Sequence, residues 1–174
     1  MTQTWEAFAL KYNAAISGMV NSYILEAKLI YKIDDFEIKI SLLRQLSDNA
    51  ARNFRDYLMT KNTIVEVSPL RINSDDEWKI IKYNRFLEFI YSFKKNCNRL
   101  AFDHNYMLIS KNRVNENTLI KTRFWKFISQ IAELRSIQYE NQHLTLEFFN
   151  FLGTDSTEKL TKKILSEYKN GSAV

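Results

Sequence analysis

The segment YILEAKLIYKIDDFEIKISLL constrains this chain more than any other stretch, because apolar and polar residues alternate on both sides of Asp34 and Asp35. A period of two belongs to a strand with one face in a core and the other in water. Aspartate favours turns, so the segment reads as two antiparallel strands joined at Asp34-Asp35. On the second strand Phe36, Ile38, Ile40 and Leu42 share the core face, and Glu37, Lys39 and Ser41 share the wet one.

The rest of the chain is read by the same test. Trp5, Phe8, Tyr12, Ile16 and Met19 fall at helical spacing and predict an opening helix ending near Ser17 and Gly18. Ser47 and Asp48 cap a short helix through Met59, with Ala51, Phe54 and Leu58 on one side. TIVEVSP is a third strand closed by Pro69, which cannot donate to a ladder. A polar turn from Asn73 to Glu77 leads into a fourth strand, WKIIKY. Phe86, Phe89, Ile90, Phe93 and Cys97 then follow a helical period from Arg85 onward.

LAFDHNYMLIS reads as a fifth strand, apolar on both parities from Tyr106 to Ile109 and therefore central. Asn115 caps a long helix carrying Leu119, Ile120, Phe124, Phe127, Ile128, Ile131 and Leu134. SIQY and HLTLEFFNF form a last hairpin across Glu140 to Gln142, and Asp155 with Glu158 opens a final helix bearing Leu160, Ile164 and Tyr168. No Pro-, Gly- or Ser-rich stretch divides the chain. Residues 1–174 therefore read as one domain, with 170–174 a frayed tail. Strands arriving as hairpins imply an α+β domain with a largely antiparallel sheet and helices packed on one face.

Composition removes several chemistries. Three glycines, Gly18, Gly153 and Gly171, cannot spell a dinucleotide turn or a phosphate loop. One cysteine, Cys97, leaves no disulfide and no paired-thiol zinc motif, and two histidines make a histidine metal site unexpected, so no metal and no cofactor is anticipated. The opening residues lack a basic stretch followed by an apolar run, and no window approaches the ~18 apolar residues of a membrane span. A cytoplasmic protein without a transmembrane segment is the expectation.

The motifs WEAFA, ISGMVNSYILEAKLIYKIDDFEIKI, TIVEVSP and LAFDHNYMLISKN, followed by an amphipathic helix, together resemble a family of uncharacterised bacterial proteins, a domain of unknown function. Members usually carry this domain after a pair of membrane helices. The family's F-D-x-x-[FY] strand, ending in a Ser/Lys-Asn turn, corresponds to Phe102, Asp103, Tyr106, Ser110, Lys111 and Asn112, and the likeness covers most of residues 5 to 169. This chain departs from the pattern in having no membrane helices and few glycines. The resemblance implies the α+β fold and brings no activity with it.

Charge supplies the one distributed signal. Between Lys94 and Lys126 eight basic residues face only Asp103 and Glu116, a net +6 in a chain whose total is +5. Within that window Lys111, Arg113, Lys121 and Arg123 form a candidate patch for phosphate, from nucleic acid or an anionic membrane surface. The plainer reading is a solvated helix face. Asp103 and His104 form a candidate polar site at a strand mouth, and Cys97 beside them contains the residue type of a nucleophile. Cys97 also extends an apolar stripe, which predicts a buried, inert thiol. The acidic pairs Asp34-Asp35 and Asp75-Asp76 read as turn residues, and His143 as an exposed turn residue. A non-enzymatic binding or protein-interaction module, with an unknown protein or small-molecule partner, is the favoured function. A small hydrolase or transferase with a site near His104 and an anionic-polymer or membrane-surface binder are the alternatives.

Overall fold

The computed structural model describes residues 5–20, 24–46, 59–70, 77–92, 96–110, 120, 122–131 and 133–169. Among the described residues four helices, α1 (Trp5–Tyr12), α2 (Arg85–Ser92), α3 (Thr122–Ile131) and α4 (Thr154–Lys169), accompany nine strands. These are β1 (Ala15–Val20), β2 (Ile24–Ile33), β3 (Phe36–Leu46), β4 (Met59–Ser68), β5 (Trp78–Lys82), β6 (Asn96–Arg99), β7 (Tyr106–Ser110), β8 (Leu134–Glu140) and β9 (His143–Phe149). They form one sheet in the order β1-β2-β3-β4-β9-β8-β5-β7-β6, with every neighbouring pair antiparallel. The fold is α+β.

Register explains why the alternating patterns bury. Leu29, Ile40, Val65, Leu146, Ile137, Ile80 and Leu108 stand opposite one another in turn across seven strands, and all are buried. A parallel row runs Tyr31, Ile38, Val67, Leu144, Tyr139, Trp78. Phe8 of α1 meets Tyr31 edge-on at 5.6 Å, and the Tyr31 hydroxyl donates to Thr161 Oγ1 of α4 at 3.5 Å. Burial pushes the Tyr31 hydroxyl up to about 12.

Turn chemistry sets the hairpins. Asp34 adopts φ 53°, a left-handed conformation that Asp tolerates, between the paired Ile33 and Phe36. Asn141 and Gln142 both have positive φ, 50° and 66°, the signature of the two-residue turn whose twist matches its strands. β7 is buried on both parities, as its uninterrupted apolar run predicts, but it begins only at Tyr106, after a turn at Asp103, and it is not central: among the described strands it lies last but one, between β5 and β6.

The structure corrects four further sequence expectations. The opening helix stops at Tyr12 because Asn13 turns left-handed at φ 48°, while Ala14 N–H donates to Ala9 O at 2.8 Å and Asn13 N–H to Leu10 O at 3.3 Å. That pair of bonds ends a helix, so Ile16 and Met19 belong to β1. Cys97 lies in β6, beyond the helix, and is half-buried. Leu134 begins β8 instead of ending a helix, because α3 stops at Ile131. The last helix begins at Thr154, one residue before Asp155, with Thr157 N–H donating to Gly153 O at 3.0 Å. The expected helix from Ser47 to Met59, the Asp75-Asp76 pair, the Asn115 cap and the 170–174 tail lie outside the described residues, except that Met59 opens β4.

Candidate functional site

The F-D-x-x-Y motif forms a clasp on α3. Asp103 Oδ1 accepts from Asn105 N–H at 3.0 Å, its Oδ2 accepts from Trp125 Nε1–H at 3.1 Å, and Tyr106 N–H donates to Asp103 O at 3.1 Å. Phe102 and Tyr106 both meet the Trp125 ring edge-on, at 5.6 and 4.8 Å. The Tyr106 hydroxyl donates to Leu134 O at 2.8 Å. Both Asp103 oxygens are thus engaged in holding a turn and a buried indole, and His104 occupies the exposed outer position of that turn. Asp103 and His104 are neighbours in sequence with separate tasks.

Of the proposed cationic patch, Arg123 lies exposed at the start of α3, while Lys111, Arg113 and Lys121 lie outside the described residues. Cys97 pairs with Ile109 at the sheet margin. Burial, then the Glu88 carboxylate, push its thiol up from the ordinary range, which lowers the thiolate fraction on which nucleophilicity depends. His143 is exposed at the start of β9, as its position after the turn predicts. Among the described residues no three His, Cys, Asp or Glu side chains converge to hold a metal, and no helix is long and apolar enough to cross a membrane.

The feature that sequence reading missed is on the sheet face opposite the apolar rows. There Ile30, Lys39, Glu66, Thr145, Gln138, Lys79, Ile109 and Cys97 stand opposite one another in turn, from β2 to β6. From Lys39 to Lys79 this row is polar or charged throughout, and it ends in Ile109 and Cys97. Where it changes, a hollow of about 280 Å³ opens, lined by Glu77, Lys79, Tyr91, Ile109, Gln138 and Glu140 and the strand segments at Trp78 and Tyr139. Gln138 Nε2 donates to Glu140 Oε2 at 2.9 Å, which orients the amide along the rim. A second hollow, lined by Gln138, Glu140, Asn141, His143 and Thr145, adjoins it.

One wall of the first hollow belongs to α2, which a polar network fixes. The Tyr83 hydroxyl donates to Glu88 Oε2 at 2.8 Å, and Arg99 donates to the same hydroxyl. The Arg99 guanidinium stands 3.9 Å from the Tyr83 ring centre and 3.6 Å from Glu88 Oε2. Lys79 and Gln138 sit on strands read from the sequence, WKIIKY and SIQY, but only the pairing of β5 with the distant β8 brings them together.

Comparison with protein-family models finds no match to the chain, and neither the curated proteins nor the solved structures provide one.

Proposed function

We propose that this chain is a non-enzymatic binding module of the cytoplasm that takes a small polar ligand in the hollow between α2 and the β5-β8 pair. The observation that carries the reading is the lining: an amide, an ammonium, two carboxylates and a phenol converge beside Ile109 in one concavity. A few oriented polar groups around an apolar patch are what fixes a small ligand in place. In this reading α1, α3 and α4 gather on the other face, supported by the contacts of Phe8 and Thr161 with Tyr31 and of Trp125 with Tyr106. The opposite face then carries α2 and the hollow beside it. The enzyme alternative loses support because Asp103 has both oxygens engaged and the Cys97 thiol is pushed up.

A thermal-shift screen with small polar metabolites tests the proposal, since a ligand that binds only the folded state raises the melting temperature. Binders of the wild-type chain are expected to lose their effect on Lys79→Met and Gln138→Leu, both on the wet face, while the unliganded melts stay close to wild type. Ligands that stabilise all three proteins equally would refute the assignment.

A further inference from the structure

On the polar face of the sheet the sequence Glu-x-Lys recurs, at Glu26-Lys28, Glu37-Lys39 and Glu77-Lys79. Alternate residues of a strand stand on one face about 7 Å apart, within reach of these long side chains. Two of the pairs close. Glu26 meets Lys28 at 2.6 Å, and Glu37 meets Lys39 at 3.1 Å. Glu77 and Lys79, which line the hollow, stay open. Among the described residues no hydrogen bond or ion pair engages the side chain of Glu77, Lys79 or Tyr91. Gln138 turns its amide N–H to Glu140, which leaves its carbonyl oxygen as an acceptor toward the same space.

We infer that the ligand of this hollow is a zwitterion, a free amino acid, with its ammonium among Glu77, Glu140 and the Gln138 carbonyl and its carboxylate on Lys79. This names the chemistry of the ligand and rests on the hollow being a ligand site. A cation alone would meet the Lys79 ammonium on the same wall. An anion alone would face two carboxylates. A neutral ligand would displace water from three charged groups without replacing the charge-assisted hydrogen bonds that water gave them. Only a molecule with both charges supplies each of these groups with a partner of opposite sign. Ile109, 4% exposed, offers an apolar contact for the side chain such a molecule carries.

Isothermal titration calorimetry of the full chain tests it. Each standard amino acid is titrated as the free acid, and the tightest binder again as its N-acetyl derivative, which lacks the ammonium, and as its carboxamide, which lacks the carboxylate. The wild-type protein is expected to bind the free acid roughly tenfold or more tighter than either derivative, the worth of a hydrogen bond to a charged group. Lys79→Met should bind the free acid no better than the carboxamide, and Glu77→Gln should narrow the gap between the free acid and the N-acetyl derivative, because each variant lacks the partner of the deleted charge. Lys39→Met opens a closed pair away from the hollow and should bind as wild type does. All three variants are expected to melt close to wild type, since such charges contribute little to stability. Equal binding of the free acid and both derivatives overturns the zwitterion and leaves the hollow as a site. So does a failure of every amino acid to bind while other polar ligands bind wild type and are lost on Gln138→Leu. Amino acids that bind wild type, Lys79→Met, Glu77→Gln and Gln138→Leu alike overturn the zwitterion and the hollow together, as does a protein that binds no small polar ligand at all.

Discussion

Replacing Thr63 by Val should destabilise the protein although it makes the core more apolar. Thr63 is fully buried on β4. Its hydroxyl donates to Asn150 O at 3.0 Å and accepts from Leu152 N–H at 2.9 Å, so it suspends the connection from β9 to α4. Valine has nearly the same shape, so no cavity opens and the effect isolates the two hydrogen bonds. The Leu152 N–H is buried and would be left unpaired at a cost of about 1–3 kcal/mol, and the lost bond to Asn150 adds about 1 kcal/mol. The sum, about 2–4 kcal/mol, corresponds to a fall in melting temperature of roughly 4–16 °C for a domain of this size. Thr63→Ser keeps the hydroxyl and loses one methyl, about 1 kcal/mol. Urea unfolding followed by far-UV circular dichroism should therefore rank wild type above Thr63→Ser and Thr63→Ser above Thr63→Val, with unchanged slopes. A Thr63→Val protein as stable as Thr63→Ser would refute the reasoning.

Three further outcomes follow from other parts of the fold. Glu158 accepts from Lys162 Nζ at 2.6 Å and from Lys11 Nζ at 2.9 Å, tying α4 to α1, and these bonds hold its carboxyl down at about 2. A depressed folded-state pKa contributes stability above the unfolded value, lost as pH falls through the folded one. Glu158→Gln should then melt below wild type at neutral pH, with the gap closing between about pH 4.5 and pH 2; a gap that persists at pH 2 contradicts this. Gln142→Gly should raise stability by about 1 kcal/mol in urea titrations, because the φ of 66° strains any side chain but suits glycine, and a loss would show that the Gln142 side chain contributes more than its backbone strain costs. The Cys97 thiol, half-buried and pushed up, should react slowly with a polar disulfide reagent in the native protein and quickly after denaturation; rapid native labelling near neutral pH would revive the nucleophile reading.

What could be read from the chain alone follows the range of the interactions involved. The β2-β3 and β8-β9 hairpins were legible because strand, turn and strand are contiguous, and the period of two was unbroken through Ile38, Ile40 and Leu42. Helix ends were less legible. Asn13 ends α1 through a single left-handed residue, a local signal that the periodicity of Trp5, Phe8, Tyr12 and Ile16 masked. Cys97 and Leu134 fit helical stripes by spacing, yet each opens on a strand whose partner, β7 or β9, must be known to place it. The hollow was out of reach for the same reason, since Lys79 and Gln138 meet only through a pairing between segments some sixty residues apart. Of the helical stripe read from Phe86 to Cys97, Phe86, Phe89 and Ile90 lie on α2 but are exposed, and Cys97 lies in β6, because the orientation of the helix depends on tertiary contacts such as those of Tyr83, Glu88 and Arg99.

The central claim is that the face opposite the apolar rows binds a small polar ligand between α2 and the β5-β8 pair. Amide chemical-shift mapping on the isotope-labelled full chain, with ligands that pass the thermal-shift screen, tests it most directly. The account predicts the largest shifts at Lys79, Tyr91, Gln138 and Glu140, saturating together, with Asp103, His104 and Arg123 unmoved. Shifts centred on the Asp103 turn or on the start of α3, with the hollow silent, would contradict it.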